Sequence, residues 1–309
     1  MKIKIFLAVL SITVLWSCRK EFIIDYPPLP PTLVVNCLFT PDSIFNIQVG
    51  KLQNLNDTSD ATVINAELTL YENDLFFEHP VFNSEKNTYT TEKKAQAGKT
   101  YTLNVKAEGF PDVVAVDTVP DYITIDSVNV YISAYYDSWE ERNLEKVNLY
   151  FKNESENNYY EVLSFLQQST ESPPYFYDFP YGITSIDPVI IAEGILDQSS
   201  YLPTLIFSDR LLDTNAEITF MPFLQLGGWP VYTPSSYTIL RNISKNYYLC
   251  RKKWFKYLQT NGLIQPDGIA QWSNMSFVPN PTDAYTNIEN GLGIFASYTE
   301  TVKLMTVKQ

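Results

Sequence analysis

The chain has 309 residues, a formal net charge of −13 and an aromatic content of 15 %. Its acidity argues against nucleic acid as a partner and against a surface held to anionic lipid by basic residues. Three cysteines and a single histidine leave no disulfide framework and no histidine-rich metal site.

Residues 1–17 carry the three parts of an export signal: Lys2 and Lys4, an apolar stretch from Ile5 to Trp16, and small Ser17. The apolar run is shorter than the about 20 residues that a bilayer core requires. Leu15-Trp16-Ser17-Cys18 resembles the bacterial lipobox, with Trp16 where a small residue is usual. Cleavage there makes Cys18 the first residue and its thiol the lipidation site; an ordinary signal with a chance cysteine is the alternative. Loss of Lys2 and Lys4 leaves 20 basic against 35 acidic side chains, a net charge of −15. Residues 18–32 then form a lipidated tether in which Pro27, Pro28, Pro30 and Pro31 favour extended polyproline backbone.

From residue 33 to 120 strand-like runs recur at regular intervals: Leu33 to Thr40, Phe45 to Leu52, Ala66 to Glu72, Leu75 to Phe82, Thr88 to Lys94, Thr100 to Glu108 and Val113 to Val119. Tyr101, Leu103, Val105 and Ala107 alternate with Thr102, Asn104 and Lys106, as in a half-buried strand. Seven such runs predict an immunoglobulin-like β-sandwich without the cysteine and tryptophan pattern of antibody domains. Residues 121–309 read as a second β-rich domain with one clear α-helix near 244–261, N-capped by Ser244 and ended by Gly262. Tyr247, Cys250, Trp254, Tyr257 and Leu258 form its predicted core stripe. The stretch "SPPYFYDFPYGI" reads as an aromatic loop, and the segment from Asn287 on as a turn followed by closing strands. The fold class is therefore mainly β.

Few residues suggest chemistry. A Ser-His-Asp triad could use only His79, and no metalloprotease, nucleophile-elbow, P-loop or paired-cysteine pattern is present. Glu140, Glu141, Glu154 and Glu156 could supply a glycosidase pair, although solvated loops are the simpler reading. The oxygen-rich stretch Asn54 to Asp60 lacks the spacing of a calcium loop and reads as an exposed turn. No catalytic residue, cofactor or metal is expected. Tyr175, Tyr177, Tyr181, Trp229 and Tyr232 lie in segments rich in Pro and Gly, where aromatics either form a platform for a glycan, peptide or partner, or close the core. Cys37 and Cys250 read as buried small hydrophobes.

Taken together, the lipobox, the proline tether, "PTLVVNCLFTPD", "GKTYTLNVKAEGF", "DSVNV", "SKNYYLCRKKWFKYLQTNG" and "NIENGLGIFASYT" resemble the uncharacterised DUF-type outer-membrane lipoproteins of Bacteroidota. The resemblance spans nearly all of the mature chain, and Asn287 to Phe295 is its most specific segment. It implies an Ig-like domain after a lipid anchor and a gene often placed beside a TonB-dependent receptor, but no catalytic residues. It also implies O-glycosylation at Asp-Ser/Thr-apolar triplets, which here point to Ser43, Thr118 and Ser127. The resulting expectation is a non-enzymatic binding lipoprotein, anchored to the periplasmic or outer face of the outer membrane and accessory to a TonB-dependent transporter. A stand-alone carbohydrate or peptide binder and, third, a carboxylate-based hydrolase are the alternatives.

Overall fold

The computed structural model describes residues 29–54, 57–137, 142–154, 156–169, 176–180, 182–195, 202–223, 236–260, 264–265, 268–269 and 284–308. Period-two alternation produces β1 (Leu33–Phe39), β2 (Ile44–Lys51), β3 (Glu67–Glu72), β4 (Leu75–Glu78), β5 (Val81–Asn83), β6 (Thr88–Lys94), β7 (Thr100–Lys106) and β8 (Val113–Thr118). The chain continues through β9 (Ile125–Asp137), β10 (Arg142–Lys152), β11 (Tyr159–Ser169), β12 (Phe176–Pro180), β13 (Gly182–Thr184) and a one-turn helix, α1 (Pro188–Ile191). Then come β14 (Leu205–Ser208), β15 (Asn215–Phe223), β16 (Ser236–Ile243) and the helix α2 (Lys245–Thr260). The last strands are β17 (Ile264–Gln265), β18 (Gly268–Ile269), β19 (Ile288–Glu289), β20 (Leu292–Leu304) and β21 (Thr306–Lys308).

Residues 31–52 and 60–309 belong to one compact unit. In the other unit, Gln53 donates through Nε2 to the carbonyl and hydroxyl oxygens of Ser59 at 2.9 Å, and Asp57 caps the Ser59 N–H.

The main unit is mainly β. A nine-stranded sheet has the order β12-β11-β16-β20-β1-β2-β6-β5, with β14 also on β11. Two five-stranded sheets, β19-β8-β7-β3-β4 and β13-β15-β10-β9-β21, supply the facing layers. Sandwich packing gives two apolar clusters. The first joins Leu33, Val35, Phe39, Phe45 and Ile47 of the large sheet to Leu70, Tyr101, Leu103 and Val113 of the small one. The ring of Phe39 lies 4.8 Å from Phe295 and Phe45 lies 5.1 Å from Tyr101, contacts that add about 0.5–1.5 kcal/mol each beyond burial. The second cluster gathers Val147, Phe151, Tyr160, Phe207, Ile218 and Leu240 with Tyr247, Tyr248 and Phe255 of α2.

Val119 belongs to the first cluster and Ile123 to the second, and the last segment serves both. Strand β20 runs parallel to β1 from Val34↔Leu292 to Phe39↔Ser297, then antiparallel to β16 from Ile243↔Tyr298 to Tyr237↔Leu304. Phe295 enters the first cluster and Ala296 the second. After buried Met305, β21 changes sheet and pairs with β9.

Three sequence expectations are corrected here. The run Leu75 to Phe82 is two strands in two different sheets, because Pro80 lacks the N–H that a continuous ladder needs. Part of the expected aromatic loop is β12, an edge strand on β11, where a terminal proline costs no ladder bond. In α2 the buried residues are Tyr247, Tyr248 and Phe255, whereas Trp254 is 41 % exposed. The inner face is rotated because buried carboxylates, described below, draw Tyr248, Arg251 and Lys252 inward.

The specific segment Asn287 to Phe295 is a folding device. Asn287 accepts from the Phe295 N–H at 2.9 Å and donates to its carbonyl at 2.7 Å. Gly293 has φ +110°, and a Cβ there would lie 2.1 Å from the Val35 carbonyl oxygen. We expect Gly293→Ala to lower stability by more than about 3 kcal/mol in urea unfolding, since backbone must shift to admit it. An unchanged unfolding midpoint would contradict this account of the parallel β1–β20 pairing.

Candidate functional site

Two clefts meet at one tyrosine. The first, about 660 Å³, lies between the β10–β11 turn, the segment Ser208 to Thr214 and Tyr248 of α2. The second, about 480 Å³, lies between Gly98, the crossing segment Thr118 to Asp121 and the start of α2. Asn157 and Tyr159 line both. Asn157 reaches this place because the Asn157-Asn158 turn puts it at φ +66°, a conformation that asparagine tolerates. Tyr159 is half-buried and stacks on Tyr248 with centroids 4.6 Å apart.

The walls are polar. In the first cleft Asp209 accepts from the Asn158 N–H at 2.7 Å, while Glu154, Glu156 and Arg210 are exposed. In the second, Asn242 is 3 % exposed and donates to the Asp121 carbonyl, while its Oδ1 has no partner among the described residues. Such a surface of amides, carboxylates and one stacked ring suits a ligand rich in hydroxyl or amide groups better than an apolar one.

Three buried carboxylates position α2 beside these clefts. Glu161 is fully buried on β11 and accepts from Thr204, Tyr247, Arg241 and Arg251 at 2.8–3.2 Å. Arg241 also bonds Glu300 at 3.1 Å and lies 4.5 Å over the Tyr298 ring. Glu193 takes the N–H and hydroxyl of Ser208 at 2.8 Å, Lys252 at 2.7 Å and the Tyr248 hydroxyl. Burial alone would raise its pKa, but these donors outweigh burial and hold the carboxyl below its ordinary value. Asp117 on β8 accepts from Ser297 of β20 at 2.6 Å and from Asn246 of α2 at 2.8 Å. Burial pushes its carboxyl up to about 7, against the donors Ser297, Asn246 and Ser244. Ser297 Oγ is also 3.1 Å from the Thr118 carbonyl, so a protonated Asp117 can donate to Ser297 while Ser297 donates onward.

The sequence-predicted residues are scattered. Cys18, Tyr175, Tyr181, Trp229 and Tyr232 lie outside the described residues, and Tyr177 is placed only by its backbone, opposite Gln168 in β12. Ser43 is exposed in the β1–β2 turn, Thr118 is exposed with its hydroxyl 2.8 Å from that of Thr100, and Ser127 is half-buried on β9. The aspartate of the Thr118 triplet is Asp117 itself, which is buried. His79 is exposed, and its Nδ1 lies 3.0 Å from the Leu68 carbonyl oxygen. Burial pushes the Cys37 thiol up to about 12 and raises that of Cys250, so neither is an activated nucleophile. No cluster of three His, Cys, Asp or Glu suited to a metal occurs among the described residues.

Sequence reasoning missed Asn157, Tyr159, Asn242 and Glu161. A turn signal marked Asn157, and a charge inside the apolar alternation of "NYYEVLSF" marked Glu161 as a buried, partnered group.

A model of the DUF4249 domain of unknown function matches residues 19–303. No curated protein matches the chain. Among solved structures, a protein from Corynebacterium diphtheriae described as membrane anchored is similar at 12 % identity with a TM-score of 0.21, over 71 % of this chain and 55 % of that one. The chain thus spans about half that protein's length, and so slight a likeness carries no argument.

Two outcomes follow from the acid network. Glu161→Gln takes the counter-charge from half-buried Arg251 and leaves Arg241 with Glu300 alone, and should cost about 3 kcal/mol in urea unfolding; a loss under about 1 kcal/mol would show the cluster to be dispensable. For Asp117, whose folded pKa of about 7 exceeds its ordinary 3.8, the stabilising contribution is full below about 4 and is lost as pH rises toward 7. Asp117→Asn should therefore flatten the stability profile between those values, removing a slope of at most about 1.4 kcal/mol per pH unit. Parallel profiles for variant and parent would refute the assignment.

Proposed function

The chain belongs to the DUF4249 family, and on that premise we propose that it is a lipid-anchored, non-enzymatic binding protein of the outer membrane that serves a TonB-dependent transporter. The observation that carries this reading is the pair of polar clefts joined at Tyr159, backed by the export signal and Cys18 at the other end of the tether. The buried carboxylates Asp117, Glu161 and Glu193 are committed to bonds that hold α2, which favours binding over acid–base chemistry. Hydroxyl-rich and amide-rich ligands, glycans or peptides, match the cleft walls.

Capture of the full-length protein from mildly solubilised membranes should recover a transporter, and recovery of the protein alone would count against the accessory role. Tyr159→Ala should lose at least about tenfold in affinity on glycan or peptide arrays, because the ring stacked on Tyr248 and one wall of each cleft go together. Array binding untouched by Tyr159→Ala would place the ligand site elsewhere. Cys18→Ala should release the protein from the outer-membrane fraction, and retention there would refute lipidation.

A further inference from the structure

The second cleft contains a buried acceptor that no protein donor meets. Asn242 of β16 lines this cleft, is 3 % exposed and donates through Nδ2 to the Asp121 carbonyl at 3.0 Å. That bond fixes which end of the amide is which, because Oδ1 would repel a carbonyl oxygen. Oδ1 therefore takes the other position, where it is buried and has no donor among the described residues. A buried acceptor in that state is costly until a water or a ligand meets it. The Asp121 carbonyl, by contrast, has a second donor in Thr299 Oγ1 at 2.9 Å.

Charge adds an independent constraint. Exposed Asp121 and Lys245 line the same cleft with opposite signs. In the first cleft Glu154, Glu156 and Asp209 outnumber Arg210 in the described lining. Asn157 and Tyr159 line both clefts, so one ligand that spans them meets an excess of carboxylate.

We infer that the joined clefts take a neutral oligosaccharide, with a sugar hydroxyl donating to Asn242 Oδ1 directly or through one water. A hydroxyl both donates and accepts, so neighbouring hydroxyls of one ring can satisfy Asn242 and Asp121 while accepting from Lys245. It is also a small donor, suited to an oxygen withdrawn from solvent, whereas a peptide N–H is hemmed in by the carbons on either side of it. The carboxylates repel uronic acids and other anionic sugars, and the stacked Tyr159–Tyr248 pair supplies apolar surface for ring carbons. This ligand class presupposes the binding role proposed above, with the same two clefts as its site.

The test applies the full-length protein to arrays of neutral oligosaccharides, of uronic-acid oligosaccharides and of peptides. Neutral oligosaccharides should bind, and the uronic-acid set should bind at least about fivefold more weakly. Asn242→Leu should lose at least about tenfold in affinity for the neutral set with an unchanged thermal midpoint, since Thr299 still serves the Asp121 carbonyl. Asn242→Ala is read in parallel in case the leucine does not fold. Glu154→Gln combined with Glu156→Gln, both at exposed positions, should bring the uronic-acid set within about twofold of the neutral one. Glycan binding that ignores both Asn242 substitutions but falls with Tyr159→Ala would mean that Oδ1 is served by a resident water only; this would overturn the inference and leave the clefts as the ligand site. Peptide binding in place of glycan binding, lost with Tyr159→Ala, would overturn it in the same way, and so would a silent glycan array. Glycan binding that ignores Tyr159→Ala as well would remove the site itself.

Discussion

Strand β20 is placed where neither apolar cluster can close without it. Its first half must lie parallel to β1, deep in the large sheet, and parallel neighbours cannot be joined by a short hairpin. Here the partners come from opposite ends of the chain, so the pairing closes only after some 250 residues have been laid down between Phe39 and Leu292. Close approach of the two backbones requires the absence of a side chain at Gly293, and the Asn287 amide fixes the turn that delivers the strand. Phe295 then faces one core and Ala296 the other, so one period-two step couples the two sandwiches.

The second organising feature is electrostatic. A helix laid across a sheet would ordinarily bury an apolar stripe, but α2 turns tyrosines, an arginine and a lysine inward to meet Glu161, Glu193 and Asp117. Buried charges are costly unless fully partnered, and Glu161 has five donor contacts from four residues. Such a cluster specifies one register of the helix on the sheet, since a quarter-turn would strand every partner. Asp117 extends the same logic across the junction between the sandwiches, for its two best donors come from β20 and α2.

That arrangement links fold to surface. With Tyr248 and Ser244 fixed by their buried bonds, the start of α2 lines both clefts, and Asn157 and Tyr159 are common to the two. Of the cations on the same helix, Arg251 and Lys252 are neutralised by these acids, whereas Lys245, Lys253 and Lys256 are exposed. One set of interactions thus fixes the helix and shapes a wall of each polar cleft.

Much of the strand pattern was legible in the sequence, since period-two alternation is set locally by which residues must face a core: β1, β7 and β8 follow it closely. So were the β-rich class and the span of α2, where Ser244 caps the Tyr247 N–H. The break at Pro80 and the strand β12 were not, because whether a short apolar run continues depends on a neighbour that sequence does not name. The role of Glu161 was half visible as a charge in an apolar run, but its donors lie 43 to 90 residues away. The sequence by itself determined where most strands and the helix α2 form, because local alternation and capping set them. Only the tertiary structure decided which face of α2 turns inward, that Tyr159 joins two clefts, and that the last strand sits beside the first, because each depends on partners distant in sequence and adjacent in space.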